Sequence, residues 1–279
     1  MSPPVLAALP ACWAGRHLPS PEAEPSLLSL EGAHRGSGLD VLLGELAAAF
    51  EAEKQRGVAL GCRQERASRE RLSQRVRQVL EAYARSHPSD WRQFAAWGDH
   101  GYLRHLLLGT DDFEVMLLCW KPGQVSRVHN HDASNCWVSV LAGRMAETLY
   151  RLAGSRDAGQ QQQQPEKEEG AQEKPAPGAD AGAQAAEVVP TGTHTLEVGD
   201  VGYISDLQGL HSLGSVGGAG AVPAATLHVY SPPIRRVRLY EGGRVTESTP
   251  GFYSRHAFRQ GGRPAPAGLG WCYGHGEGI

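Results

Sequence analysis

Two histidines one residue apart, His129 and His131, sit in the window GQVSRVHNHDASNCWVSVLAG that runs from Gly123 to Gly143. Side chains alternate along an extended strand with a period of two, so both imidazoles would leave one face and hold a single ion together. The framing glycines make the pattern G-x5-H-x-H-x4-C-x6-G, with Cys136 at its thiol position. Two imidazoles do not complete a metal site, and a third ligand has to come from another strand. Further on, Thr226, His228 and Tyr230 alternate in ATLHVYSPP and share one face. Near a metal, such a hydroxyl–imidazole–phenol row orients the phenol and relays a proton; without a metal it is three inward polar groups satisfied by structural hydrogen bonds. Arg104 carries a planar guanidinium that pairs bidentately with a carboxylate. Tyr102 shares its strand face, and the leucines after Arg104 argue for a strand that enters the core.

Short strands must position these groups, and the chain turns to them after Gly101. YLRHLLLGT, FEVMLLCW, VHNH and CWVSVLAG are separated by turns at Asp111-Asp112 and Pro122-Gly123, and HTLEVGDVGYIS and ATLHVYSPP follow. This reads as an all-β barrel or jelly roll. Ahead of it, Leu42, Leu43, Leu46, Ala47 and Phe50 recur at helical spacing behind a cap at Ser37 with Asp40. A second stripe, Leu72, Val76, Val79, Leu80 and Tyr83, stops before Pro88. Ser89-Asp90-Trp91 opens a short third turn or helix. Both stripes are expected to pack on the barrel. Residues 1–35 read as a flexible N-terminal extension, 36–260 as the barrel domain, 152–192 as a disordered insertion without aromatics between two strands, and 261–279 as a Gly/Pro-rich tail.

A chain of 279 residues with 41% hydrophobic content supports one domain with extensions. A formal net charge of -3 offers no basic field for nucleic acid or an anionic membrane. No apolar run approaches the roughly 18 residues of a membrane span, and the start MSPPVLAALPACWAGRH lacks the plan of a secretory leader. The 5 cysteines form no C-x-x-C pair, which fits a reducing compartment. A soluble, cytoplasmic monomer is expected. Cys119 reads as a small buried hydrophobe, unlike Cys136 inside the histidine motif.

The glycine-framed pattern resembles the first metal motif of cupin barrels, with Cys136 in place of the usual glutamate. His211, in GDVGYISDLQGLHSLGS, then stands where the second cupin motif has its histidine, although Ser215 replaces the closing asparagine and Asp206 a common proline. Three neutral imidazoles leave a divalent charge uncompensated and favour an anionic ligand. They suit either non-heme iron or zinc-hydroxide chemistry. From Tyr102 to Pro233 the chain resembles thiol dioxygenases, specifically the cysteine dioxygenase family, through L-C-W, H-x-H-x4-C, G-L-H and L-H-x-Y-S-P-P in order. The resemblance implies a cupin jelly roll, Fe(II) held by His129, His131 and His211, and a thioether between Cys136 and Tyr230. It also implies Arg104 on the substrate carboxylate, Tyr102 beside it, and a relay of Thr226, where the family usually has serine, with His228 and Tyr230. Trp120 is read as packing near the site. The implied reaction adds both atoms of O2 to the thiol of L-cysteine, giving cysteine sulfinate. The alternatives are a dioxygenase of another small thiol, such as 3-mercaptopropionate, and a non-catalytic metal-binding sensor.

Overall fold

Strand β2, Glu114–Trp120, is buried along its whole length, and the reason organises the molecule. Its Val115, Leu117 and Cys119 join one apolar cluster with the helices, while Met116, Leu118 and Trp120 join a second cluster inside the barrel. Strand β9, Ala224–Ser231, divides in the same way, with Ala225, Leu227 and Val229 toward the helices and Thr226, His228 and Tyr230 on the alternate positions. Covered on both faces, these strands lose the apolar-polar alternation of a half-solvated sheet. The chain is seen in a computed structural model that describes residues 38–86, 88–154, 186–252 and 258–259.

The remaining strands are β1 Leu103–Gly109, β3 Val128–His129, β4 Asn135–Ala142, β5 Met145–Leu152, β6 Val188–Leu196, β7 Val201–Ser205, β8 Leu210–Ser215, β10 Val237–Glu241, β11 Arg244–Ser248 and β12 Phe258–Arg259. They form two six-stranded sheets, β12-β1-β2-β9-β4-β7 and β11-β10-β3-β8-β5-β6. Every pairing is antiparallel except β1 with β12. The fold is the expected all-β cupin jelly roll, with its N-terminal helices packed on the first sheet.

Helix α1 spans Gly38–Lys54 and α2 spans Arg66–Arg85. The full expected stripe of α2 is buried; in α1, Leu42, Leu46 and Phe50 are buried, and Leu43 and Ala47 pack at the margin. A 3-10 helix follows at Asp90–Phe94. The expected cap Ser37 lies outside the described residues. The cap that is seen is distant in sequence: the Leu39 N–H donates to Asp90 Oδ2 at 2.6 Å, and Tyr83 Oη donates to Asp90 Oδ1 at 2.8 Å.

Two strand assignments need correction. β6 begins at Val188 and pairs with β5 out to Leu152↔Val188, so 188–192 belong to the barrel and not to the insertion assigned to 152–192. Pro190, Gly192 and an almost wholly exposed edge gave this stretch no strand signature. Residues 155–185, the extension 1–35 and the tail 261–279 lie outside the described residues. No strand was expected after Pro233, yet β10 and β11 form a hairpin whose two-residue turn, Gly242-Gly243, has φ of 56° and 76°, which glycine adopts without strain.

A polar network ties the helices to the strand that carries Cys136. Glu53 of α1 accepts from Ser68 Oγ at 2.6 Å and from Arg71 Nη2 at 3.1 Å. Gln64 donates to Ser68 Oγ, Asn135 Nδ2 donates to Gln64 Oε1, and Tyr203 Oη donates to Asn135 Oδ1 at 2.7 Å. Arg71 holds the Glu53 carboxyl below its ordinary 4.5 against the opposing effect of burial. The resulting stability is present above the unfolded-state value and is lost as pH falls through the folded one. Glu53→Gln is expected to cost about 1–2 kcal/mol at pH 7, the half-exposed Arg71 screening the pair, and less in acid. Urea unfolding at neutral and acid pH checks this, and an equal loss at both would contradict it.

Candidate metal centre

The barrel interior brings His129, His131 and His211 together from three backbone settings. His129 ends β3 and pairs in register with His211 of β8 on one side and Leu239 of β10 on the other. His131 is not on the strand, contrary to the expectation of one extended face. It lies just past β3, where the chain enters a left-handed turn at Asp132, φ 48°, and Ala133, φ 66°. Asp206 holds that turn, its Oδ1 accepting the His131 N–H at 2.7 Å and its Oδ2 the Ala133 N–H at 2.8 Å. Ring centroids stand 4.7 to 5.2 Å apart, and the ligating nitrogens all lie within 4.8 Å of one another.

Hydrogen bonds outside the cluster fix which nitrogens face inward. His129 Nδ1 is 2.8 Å from the Arg127 carbonyl oxygen, which only accepts, so Nδ1 carries the proton and Nε2 a lone pair. His211 Nδ1 is 2.5 Å from Glu147 Oε1. Burial opposes ionisation of Glu147, yet its hydrogen bond from His211 and the nearby His194 leave the carboxyl below its ordinary value, so it accepts and His211 Nδ1 donates. His129 Nε2 therefore presents its lone pair to His211 Nε2 at 3.3 Å. His131 is fully buried and neither ring nitrogen has a hydrogen-bond partner. Burial holds His129 down to about 3 and His131 well below 6.5, so both rings are neutral. Three buried imidazole nitrogens converging on one point, with His131 unpartnered, are the donor set of a divalent cation such as Fe(II) or Zn(II).

Glu147 and Asp206 were missed from sequence. Glu147 did leave a signal: it follows Met145 at period two on β5, a charge on an inward apolar face. In sequence Asp206 stands out only as a departure from a common proline.

His228 and Tyr230 line one cavity with His129 and His211, and Thr226 stands behind His228, with Thr226 Oγ1 2.9 Å from His228 Nε2 and Tyr230 Oη 3.0 Å from His228 Nδ1. Trp120, read from sequence as packing, stacks on Tyr102 with centroids 3.9 Å apart. Its indole N–H also donates to Thr226 Oγ1 at 2.9 Å. Indole only donates, so Thr226 Oγ1 accepts from Trp120, and the tautomer of His228 sets the direction of the two bonds that lead on to Tyr230. Burial keeps Tyr230 well above its ordinary value, so the proton stays on. Cys136 lies directly opposite Tyr230 in the β4–β9 register, within hydrogen-bonding reach, and burial likewise raises its thiol.

Arg104 and Tyr102 line the same cavity. Arg104 is 7% exposed, its Nη2 meets the Met116 sulfur at 3.2 Å, and its Nε has no hydrogen-bond partner. A buried cation without a matched carboxylate is costly unless an anionic ligand joins it. Cys119 lies in the helix-side core, as expected.

Residues 63–242, a span that holds every one of these groups, match the family model described as cysteine dioxygenase type I. The chain belongs to that family. Cysteine dioxygenase type 1 of Danio rerio is 30% identical over 167 residues, 60% of this chain and 68% of that protein. The Rattus norvegicus protein of the same name is 29% identical over 187 residues, 66% of this chain and 78% of its own length. The matched span of this cysteine dioxygenase-family chain begins after α1 and ends in the β10–β11 turn.

A ring buried for ligation should cost the metal-free fold stability. The unfolded chain protonates His131 near 6.5 and the folded chain does not, so below that pH the folded state is penalised, and stability rises with pH up to about 6.5. His131→Leu is expected to abolish tight divalent-metal binding and leave the metal-free protein within about 1 kcal/mol of the parent or above it. Its advantage should grow from pH 7 to pH 5. Urea unfolding without metal checks this, and a loss of about 3 kcal/mol or more would make His131 a structural core residue.

Proposed function

We propose that this thiol dioxygenase binds Fe(II) through His129, His131 and His211 and oxidises L-cysteine with O2 to cysteine sulfinate. The observation that carries the substrate assignment is Arg104, a buried and unmatched guanidinium in the wall of the cavity that His129 and His211 also line. The reaction balances without an external reductant, because RSH and O2 give RSO2H, sulfur losing the four electrons that O2 gains. The bound iron would supply the redox-active centre and lower the proton affinity of the substrate thiol.

The protein's own groups supply the rest. Arg104 binds the substrate carboxylate and fixes the orientation of the amino acid, with Tyr102 on its flank. Neutral imidazoles leave the cation's charge to be balanced by an anionic thiolate. Trp120, Thr226 and His228 anchor the Tyr230 phenol, and its O–H donates to a substrate atom. Cys136 and Tyr230 are disposed to form a thioether between Sγ and a ring carbon, the two hydrogens lost passing to O2, and the bond would pin the phenol. In this reading the protein acts as a cytoplasmic monomer in cysteine catabolism, with L-cysteine and O2 as its partners and no nucleic acid or membrane. No described helix is long and apolar enough to cross a membrane.

Oxygen uptake by the iron-loaded protein tests the assignment. L-cysteine should be consumed faster than 3-mercaptopropionate, with cysteine sulfinate as product. Arg104→Gln should lower kcat/KM for L-cysteine roughly 10- to 100-fold, mainly through KM, the loss of a charged hydrogen-bond pair of about 1.5–3 kcal/mol. An unchanged KM would remove Arg104 from substrate binding. Cys136→Ser should migrate as a single uncrosslinked band with reduced but measurable turnover. Full turnover in that variant would make the cross-link dispensable.

A further inference from the structure

Glu147 does not face His211 alone. Its second oxygen, Oε2, lies 2.8 Å from Nε2 of His194, which stands directly opposite Glu147 in the β5–β6 register. The Glu147 side chain is 5% exposed and that of His194 is 47% exposed, so the carboxylate bridges a buried ring at the metal centre and a ring at the barrel surface. Beside this pair, Thr148 and Thr193 hydrogen-bond hydroxyl to hydroxyl at 2.9 Å and keep the edge strand in register. A carboxylate held by only one oxygen rotates about its last torsion. Held by both, it has one orientation, and Oε1 stays aimed at His211 Nδ1.

We propose that His194 is a positioning residue for the metal centre, acting through Glu147 to fix the plane and tautomer of His211 and thereby strengthening divalent-metal binding. This rests on the three-histidine reading of the centre. Partners of metal-ligating imidazoles commonly contribute 10- to 100-fold to affinity, and His194 acts one hydrogen bond further out. Neither its sequence neighbours nor its position on an exposed edge strand marks it for this role; only the pairing of β5 with β6 brings it to Glu147.

Competition between the protein and a chelating dye for Co(II) tests the proposal without reference to turnover. His194→Ala should weaken Co(II) binding by about 10-fold, the low end of that range. His194→Gln, which keeps an N–H donor, should recover most of the loss. In a Glu147→Gln background, His194→Ala should have no further effect, because the path runs through the carboxylate. Unchanged binding by His194→Ala, failure of the glutamine to restore it, or a full additional loss in the Glu147→Gln background would each overturn the proposal, provided that the parent outbinds His131→Ala. Equal Co(II) binding by the parent and His131→Ala would overturn the three-histidine reading, and this proposal with it.

Discussion

The centre depends on where three imidazoles keep their protons. The Arg127 carbonyl and the Glu147 carboxylate bind the outer nitrogens of His129 and His211 and turn their Nε2 atoms inward, 3.3 Å apart. His131 adds a ring with no partner at either nitrogen. Without a cation His131 is a buried ring with unmet hydrogen bonds; around one the cluster becomes a ligand set needing little rearrangement. Most of the surrounding architecture maintains this condition. β8 and β10 flank β3, Asp206 locks the turn that carries His131, and β5 delivers Glu147.

The relay on β9 is anchored in the same way. The indole of Trp120 donates to Thr226, which with His228 holds the Tyr230 phenol. A tryptophan that packs on Tyr102 therefore also anchors the far end of the relay. The two-sided burial of β2 and β9 supports this precision. Strands gripped by helices on one face and filled by the barrel on the other have few alternative rotamers, which site groups require if they are to stay in place.

Much of this was legible in the sequence, because it is written at short range. Period-two placement marked Thr226, His228 and Tyr230 as one row, glycine framing singled out His129 and His131, and helical spacing showed both amphipathic stripes. What escaped was non-local or lacked an apolar pattern. The carboxylate partner of His211 is 64 residues away, and the acceptor that caps α1 is 51 residues away. β6 is an exposed edge strand interrupted by Pro190 and Gly192, so its backbone pairs while its side chains give no core signature. His131 defeated the strand reading for a different reason: two left-handed residues after it turn the chain, and its ring enters the cluster from a loop that Asp206 holds.

The central claim is that these groups assemble a cavity in which a thiol held beside three imidazoles receives both atoms of one O2. The most direct measurement is turnover of L-cysteine by the iron-loaded protein under isotopically labelled O2, with the product analysed by mass spectrometry. The account predicts cysteine sulfinate carrying two labelled oxygens, with one O2 consumed per cysteine. Unlabelled or singly labelled sulfinate, or oxygen uptake that yields only cystine, would contradict it.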